Sequence, residues 1–399
     1  MNLLIFIYFF SLILLIGEIS SENKFRQKID YNNCITNLAC SIEKYFDITP
    51  RHKTLSDIDK LLEEKQPENV VLLLADGLGS RILDKVLNKD DFLIKQRKRE
   101  IFSVFPPTTS ADLTSIKTGL NPAEHGWVGW TAYFQPLNKI MTLYKDYEKG
   151  KKGEIDEEFA KLKEKYFNTK SIVDLINEEG KYSAYEISCY PYNVDKDIDS
   201  VFNKVLEKIK IKGKKYIFAY YPEPDTLLHN NGVNSEEART EIKKINKKVE
   251  EYSKLILETN NTVMIMVADH GHSLSDIVPL QEWEFTKYME ISKTFIETRS
   301  PAFLIKKGEE ENFKNAFIKD FGQEFYLLSK KEVIESGVFG DYEEKNKHEL
   351  FESSIGDFMA FSKDSSKLTL IGEGDNIDPS YHGGYSDDEL YIPLIVISN

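Results

Sequence analysis

Residues 70–77 read Val-Val-Leu-Leu-Leu-Ala-Asp-Gly, an uninterrupted apolar run that ends in an aspartate and a glycine. Short runs of this kind are typical of strands that are buried on both faces of a parallel sheet. Two later runs have the same form, since Tyr216–Tyr221 is followed closely by Asp225 and Thr262–Val267 by Asp269. The pattern predicts three buried strands, each with a carboxylate just past its carboxyl end.

Helical patterns separate these strands, and the clearest is Glu236–Leu257, which has one apolar stripe at helical spacing. We also predict helices at 54–64, 80–87, 111–118 and 171–179, and strands at 183–187 and 392–397. Alternating strands and helices indicate an α/β fold, a mostly parallel sheet with helices on both faces. Ligands of such sheets bind at the carboxyl edge of the strands, where Asp76, Asp225 and Asp269 all fall.

The chain divides into a core and an insertion. Residues 277–376 change character, with short mixed segments punctuated by glycines, and we predict a cap inserted before the last core strand. The catalytic core then comprises 22–276 and 377–399. Within it, the Lys- and Glu-rich segment 147–165 is predicted to be a solvated helical insertion. A chain of 399 residues is long enough for a large α/β domain with such insertions.

The N-terminus has the composition of a targeting segment. Leu3–Ile16 consists almost entirely of Leu, Ile, Phe and Tyr, and small polar residues follow at Ser20 and Ser21. So short a hydrophobic segment predicts a secretory signal peptide, residues 1–21. The alternative is an uncleaved N-terminal membrane anchor, although a span needs about 20 apolar residues. We expect a secreted protein without a stable membrane partner.

The cysteines and one sequon agree with export. Cys34 and Cys40 are close enough in sequence for a disulfide to be plausible in an oxidising compartment, and Cys189 is left over. Connectivity does not follow from sequence. Asn260-Asn261-Thr262 is a glycosylation sequon, so a glycoprotein is expected.

One hydroxyl and three imidazoles accompany the three carboxylates. They belong to Thr109, His229, His270 and His382. His229 lies four residues after Asp225, so on a helical turn both side chains face the same way and can share a metal. His and Asp suit zinc, and paired divalent ions clamp the attacking and leaving oxygens of an in-line displacement. The inventory predicts a two-metal hydrolase of phosphate esters.

The order of these residues, Asp, Thr, Asp-x-x-x-His, Asp-His and His, resembles that of the alkaline phosphatase superfamily. Within it, the chain resembles the type I phosphodiesterase/nucleotide pyrophosphatase family over nearly its whole mature length. The resemblance rests on Ala75-Asp-Gly77, the stretch 105–126, Glu223-Pro-Asp225, Ala268-Asp-His-Gly271 and Tyr381-His-Gly-Gly384. It implies an alkaline phosphatase-like sandwich that hydrolyses phosphodiester or phosphoanhydride bonds. The cap segment is similar to that of compact, prokaryote-type members.

The resemblance also implies a role for each residue. Thr109 would be the nucleophile and form a covalent phosphoryl or nucleotidyl intermediate. Two divalent metal ions would be bound, with zinc the favoured ion. One would take Asp225, His229 and His382, and the other Asp76, Thr109, Asp269 and His270. A threonine hydroxyl is a poor nucleophile at neutral pH until a metal lowers its pKa. Thr109 is also a plausible helix N-cap, and a helix N-terminus suits an anion, so the two roles are compatible.

Two other histidines lie near these motifs. His272 follows His270 by two residues, so in an extended segment both side chains could face the site. We interpret His272 as a residue that supports the ligands rather than one that binds metal. His125 is predicted to order the loop after the nucleophile helix.

Ser110 and Asp112 depart from the family pattern. Many nucleotide-cleaving relatives carry a phenylalanine just after the nucleophile, which stacks on the base, and an asparagine three residues after it. Serine cannot stack, and an ionised Asp112 beside a phosphate would repel it. Asp112 is therefore protonated, paired with a cation or turned away. Aromatic residues at 127–134 could replace the stacking contact or could simply pack in the core and loops.

Other functions remain open at this point. A phosphomonoesterase or phosphonate hydrolase would use the same fold, and a catalytically inactive relative would be expected to have lost the nucleophile or a ligand. A sulfatase is disfavoured because no cysteine lies in a CxPxR setting. The net charge of −14 disfavours a nucleic-acid polymer as partner, but it is compatible with a small phosphate ester. The sequence does not indicate an oligomeric state.

Overall fold

The computed structural model describes residues 25–188, 197–259, 261–364 and 366–399. The predicted signal peptide, Cys189 and Asn260 lie outside these ranges, so export and glycosylation stay predictions. Among the described helices, none combines the length and the apolar character that crossing a bilayer requires.

Two large sheets and one small one organise the chain. The strands are β1 Asn69–Ala75, β2 Arg97–Phe102, β3 Thr131–Phe134, β4 Lys139–Thr142, β5 Tyr147–Glu148, β6 Ser183–Ser188, β7 Lys215–Tyr221, β8 Thr262–Val267, β9 Asp276–Pro279, β10 Phe295–Ile296, β11 Pro301–Phe303, β12 Phe325–Ser329, β13 Phe358–Ser362, β14 Leu368–Ile371 and β15 Tyr391–Ser398. The first sheet has the order β2-β15-β8-β1-β7-β6 and the second β12-β13-β11-β10-β3-β4-β5, while β14 pairs with β9.

The six-stranded sheet is mostly parallel, as predicted. Strand β1 pairs in parallel with both β7 and β8, and β6 pairs in parallel with β7. Only β15 is reversed, because it runs antiparallel to both β8 and β2. The register places Ala75 opposite Tyr221 and Leu74 opposite Val267. The carboxyl ends of the three central strands therefore meet at one edge of the sheet.

Helices pack against both large sheets. They are α1 Ile35–Tyr45, α2 Ser56–Lys65, α3 Ser80–Val86, α4 Phe92–Gln96, α5 Thr109–Thr118, α6 Pro122–His125, α7 Glu157–Tyr166, α8 Ile172–Glu179, α9 Ile198–Ile209, α10 Asp225–Asn231, α11 Glu236–Thr259, α12 Glu310–Phe321, α13 Lys330–Ser336, α14 Phe351–Ser354 and α15 Asp387–Leu390. Every residue of β1, β7 and β8 is buried beneath them. The continuous apolar runs are thus explained by burial on both faces.

The segment 147–165 differs from the predicted solvated helix. It begins with β5, which pairs antiparallel with β4, and becomes helical only in α7. Helix α7 also buries Phe159, whose ring packs edge-on against Phe134. The prediction holds for 157–165, which is helical and mostly exposed or half-buried, and it was wrong for 147–156, because Lys and Glu composition carries no signal for a two-residue strand formed by tertiary pairing.

The seven-stranded sheet combines two stretches of the chain. Strands β3, β4 and β5 come from 131–148, before the cap insertion predicted at 277–376. Strands β10 to β13 come from within that insertion. Ile296 of β10 pairs with Thr131 of β3 and joins the two stretches. The division into core and cap stays a prediction. The seven-stranded sheet contains strands from both predicted parts, since β3, β4 and β5 belong to the predicted core and β10 to β13 to the predicted cap.

Cys34 and Cys40 do not form the disulfide that we considered plausible, and both are buried free thiols. Cys34 is the N-cap of α1 and Cys40 lies within that helix. Six residues of helix rise by about 9 Å. A disulfide requires Cα atoms within about 7 Å, so helix formation separates the two thiols.

Candidate metal centre

Backbone hydrogen bonds bring the three carboxylates together at the sheet edge. The Asp225 amide donates to the Asp76 carbonyl (3.1 Å), and the Gly77 amide donates to Asp269 Oδ1 (3.0 Å). Gly77 has a φ of +72°, and a Cβ on it would lie 3.0 Å from the Asp225 Cα. A side chain at Gly77 would therefore push the Asp76 and Asp225 segments apart.

The first group of candidate ligands surrounds Asp225. Its Oδ1 lies 3.5 Å from Nε2 of His229, one turn along α10, and 4.0 Å from Nε2 of His382. His382 Nδ1 lies 3.0 Å from the Pro107 carbonyl, so this ring nitrogen donates and leaves Nε2 free to bind a cation. The geometry brings together the three residues that sequence assigned to one metal.

The second group surrounds His270. Its Nε2 lies 3.5 Å from Asp76 Oδ1 and 3.6 Å from Asp269 Oδ2. Thr109 Oγ1 lies 3.4 Å from the same nitrogen and 3.5 Å from Asp76 Oδ2. The rings of His270 and His382 stack with centroids 3.9 Å apart, so the two groups adjoin.

Unsatisfied oxygens test whether these residues fit metal ions. Asp76 Oδ1 and Asp269 Oδ2 are both buried, and neither has a hydrogen-bond partner among the described residues. Burying a carboxylate oxygen that accepts no hydrogen bond is unfavourable unless a cation compensates its charge. Two groups of donors have ligand atoms within 4.8 Å of one another: Asp225 with His270, His272 and His382, and Asp76 with Asp269 and His270. The predicted ligand His229 is in neither group. Imidazole nitrogens together with carboxylate oxygens suit zinc. The residues fit a pair of divalent cations.

The charges of the site shift its pKa values in opposite directions. Burial, together with the charges of Asp269 and Asp225, raises the pKa of Asp76 well above its usual value. Burial also acts to raise the pKa of Asp225, but His229 and the hydrogen bond from His272 outweigh it and hold the pKa well below its usual range. Burial lowers the pKa of His382 well below its usual value, reinforced by the neighbouring imidazoles. Crowded carboxylates beside imidazoles are the environment that a divalent cation stabilises.

Sequence reasoning missed residues that contact the predicted ligands from outside. The Tyr220 hydroxyl donates to Asp76 Oδ2, and Asp378 Oδ2 lies 3.3 Å from His229 Nδ1. Neither residue belongs to a motif, and Tyr220 looked like one more apolar strand residue. Its place just before the carboxyl end of β7, beside β1, is the signal that could have indicated it.

The Asp112 carboxylate is turned toward the loop before α5, and burial raises its pKa well above the usual value, so the structure agrees with two of the three possibilities left by the sequence, a turned side chain and a protonated one. Its carboxylate accepts hydrogen bonds from the Ser103 hydroxyl (2.7 Å), the Val104 amide (2.9 Å) and the Thr108 amide (3.0 Å). Asp112 therefore fastens the loop that leads into α5 and fixes the position of Thr109. Ser110 is fully buried, so it offers no surface to a nucleotide base.

Replacing Asp112 with alanine should destabilise the fold by about 3 kcal/mol, because three buried donors lose their acceptor. We also expect lower activity, since the loop that carries Thr109 loses its anchor. The urea unfolding midpoint and kcat would measure the two effects. Asp112→Asn keeps one acceptor oxygen and should be milder, and an alanine variant as stable as the wild type would contradict this role.

The remaining predicted residues have packing roles. His125 is buried, with Nε2 3.0 Å from the Ser115 hydroxyl, and its Nδ1 accepts from the Trp127 amide, so it orders the loop after α5. Phe134 is buried against Phe159, and Trp127 packs on Tyr144 and Phe167. These contacts favour packing for Trp127 and Phe134.

Comparison with known proteins identifies one family and several proteins of similar fold. Residues 70–375 match the family model described as type I phosphodiesterase/nucleotide pyrophosphatase. Human ectonucleotide pyrophosphatase/phosphodiesterase 5 is 18% identical, with a TM-score of 0.61 over 82% of this chain and 87% of that one. An inactive form of the murine protein, with a threonine replaced by alanine, is 19% identical over the same shares, has a TM-score of 0.59 and is in complex with AMP.

A second kind of neighbour has the same fold. Phosphonoacetate hydrolase from Sinorhizobium meliloti, in complex with phosphonoacetate, is 15% identical with a TM-score of 0.61 over 83% of this chain and 90% of that one. The search among curated proteins found no significant match. The structural likenesses show a shared fold.

Proposed function

This chain belongs to the type I phosphodiesterase/nucleotide pyrophosphatase family, and from that premise we propose that it is a secreted two-metal hydrolase that cleaves phosphodiester or phosphoanhydride bonds through a covalent Thr109 intermediate. The observation that carries the proposal is the position of the Thr109 hydroxyl, at the first residue of α5 and 3.4–3.5 Å from His270 and Asp76. Secretion rests on the apolar segment at residues 3–16, and the N-terminal mass of the exported protein would test it.

Each predicted ligand has a place in this proposal. Asp225, His229 and His382 would hold one divalent ion, and Asp76, Asp269, His270 and Thr109 the other. When bound, the ions supply positive charge that favours ionised Thr109 and stabilises the oxygens at phosphorus. The chain itself presents the Thr109 oxygen beside the N-terminus of α5, which favours an anionic phosphoryl group.

Thr109 would act in two chemical steps. Its oxygen forms a bond to phosphorus while the bond to the leaving oxygen breaks in line with it. Water then cleaves the bond between phosphorus and Thr109 and restores the hydroxyl. The inactive alanine form of the murine neighbour, in complex with AMP, supports a threonine in this role.

A phosphonate hydrolase is the second candidate, supported by the likeness to the phosphonoacetate hydrolase at an equal TM-score. Phosphonates keep a carbon–phosphorus bond where esters have oxygen, so the same nucleophile and ions would serve. Release of phosphate from phosphonoacetate, measured beside release of nitrophenol from a nitrophenyl diester, would separate the two candidates.

We expect diesters to be hydrolysed with a higher kcat/KM than monoesters and the identity of a nucleotide base to matter little. The diester preference follows from the family, and the weak base preference follows from buried Ser110 at the position where relatives stack a base. Nitrophenyl diesters and monoesters, and a set of dinucleotides that differ only in the base, would provide the kcat/KM values. Base discrimination above about tenfold, roughly 1.4 kcal/mol in transition-state binding, would mean that another aromatic residue stacks on the base.

A further inference from the structure

The backbone at Ile296 is held in a conformation that β-branched residues avoid. Its φ is +73°, in the left-handed region. Two strands hold it there, since Ile296 pairs with Thr131 of β3 and with Pro301 of β11. A Cβ on Gly129 would lie 2.8 Å from the Ile296 Cα, so a third segment also packs closely against it. Strain that the surroundings enforce often marks a functional position, and the residue that follows here is Glu297.

The chain on the other side of Glu297 is fixed as firmly. Arg299 is fully buried, and its guanidinium donates to both carboxylate oxygens of Glu389 (2.8 and 3.1 Å). The Ser300 amide donates to the Glu297 carbonyl (3.2 Å). The Glu297 side chain therefore extends from a segment that is anchored at both ends, which limits the movement of its carboxylate.

The Glu297 side chain lies beside the first group of candidate ligands. Its stem packs on Gly383, since a Cβ at that glycine would lie 2.5 Å from Glu297 Cγ, and Gly383 directly follows His382. Its Oε1 accepts a hydrogen bond from the Trp130 amide (2.7 Å). A residue of the predicted cap is thus held against the loop that carries a candidate ligand.

The charge of Glu297 is not neutralised by a basic side chain. Among the described residues no lysine or arginine forms an ion pair with Glu297, which is half-buried. Its charge also acts on the candidate ligands. Burial acts to lower the pKa of His229, but the carboxylates of Asp225, Asp378 and Glu297 outweigh it and raise that pKa to about 9. Glu297 therefore adds a fixed negative charge to the field in which a phosphate ester would react.

We propose that Glu297 determines specificity for the charge at phosphorus, because its carboxylate disfavours substrates with two negative charges on the phosphoryl group. The inference rests on the proposed function and names the residue that would favour diesters over monoesters. A diester carries one negative charge, whereas a monoester carries two above its second pKa of about 6. At any one distance a dianion is repelled about twice as strongly as a monoanion. Glu297 would thus select substrates by repulsion.

Three nitrophenyl esters separate the effect of charge from that of size. Nitrophenyl phosphate is a dianion, nitrophenyl methylphosphonate is a monoanion of nearly the same size, and methyl nitrophenyl phosphate is a monoanionic diester. All three release nitrophenol, so their kcat/KM values can be compared directly on the full-length, zinc-loaded enzyme. The assays are run at about pH 9, because burial raises the pKa of Glu297 to about 7 and the carboxylate must be ionised.

Glu297→Gln removes the charge and keeps an oxygen that can accept from the Trp130 amide. We expect kcat/KM for the dianion to rise about tenfold more than kcat/KM for either monoanion. Glu297→Asp keeps the charge and should keep most of the wild-type discrimination. Glu373→Gln is the matched control, since it removes a carboxylate that is 64% exposed and paired with Lys293, and it should not change the ratios between the substrates.

The possible outcomes separate a charge effect from other roles. Unchanged ratios in the Gln variant would show that Glu297 does not select substrates, and equal gains for the dianion and the methylphosphonate would show that size matters instead. Lost discrimination in the Asp variant, an equal effect of Glu373→Gln, or a lower zinc content in the Glu297→Gln variant would point to other roles. Each of these results would overturn the proposal. A wild type without zinc-dependent activity toward any of the three esters would instead contradict the proposed function.

Discussion

Thr109→Ala should lower kcat by at least about a thousandfold while the protein remains folded, because the reaction loses its only proposed nucleophile. The half-buried Thr109 side chain occupies the first turn of α5, and alanine is a good helix former, so little destabilisation is expected. Steady-state hydrolysis of a nitrophenyl diester and thermal unfolding would measure the two quantities.

Thr108→Ala is the matched control for this prediction. It removes the same type of hydroxyl one residue earlier, at the N-cap of α5, where the side chain makes no capping hydrogen bond. We expect a much smaller change in kcat. Comparable losses in the two variants would mean that the nucleophile has been assigned to the wrong hydroxyl.

Removal of metal should abolish activity and destabilise the protein. The purified enzyme should contain about two zinc ions, and a chelator should remove both and reduce kcat/KM more than a hundredfold. Without cations Asp76 Oδ1 and Asp269 Oδ2 lack any partner among the described residues, so the metal-free form should unfold at a lower temperature. Metal analysis, activity after zinc is restored, and thermal unfolding would provide the measurements.

Magnesium provides the control for the metal experiment. It prefers oxygen ligands in octahedral geometry, whereas three of the candidate donors here are imidazoles, so it should restore much less activity than zinc. Full activity in a sample shown to be metal-free would contradict the two-metal site.

The arrangement of the central strands could be predicted from sequence because burial leaves a direct pattern in the chain. Strands β1, β7 and β8 are buried on both faces, so their apolar runs are continuous, and each polar residue that follows marks a strand end. Parallel pairing then brings Asp76, Asp225 and Asp269 to one edge of the sheet, and this does not depend on how the helices pack. The order of the motifs was enough to identify the family and the candidate ligands.

Other features depend on which groups meet in three dimensions. The reversal of β15, the three hydrogen bonds that turn Asp112 away, and the separation of Cys34 from Cys40 by a helix leave no periodic pattern. The partner of His272 is another such case, since the sequence predicted a supporting role for His272 but did not indicate Asp225 as the residue it contacts.

What the sequence by itself determined was the set of buried strands and the chemical groups at their ends, because both follow from local composition and period. Only the tertiary structure decided how those groups are oriented. His272 approaches Asp225 from a loop 47 residues distant, and Tyr220 reaches Asp76 from the neighbouring strand. A hydrogen bond depends on distances of a few tenths of an ångström and on direction, and these are set by packing between segments that are far apart in the chain.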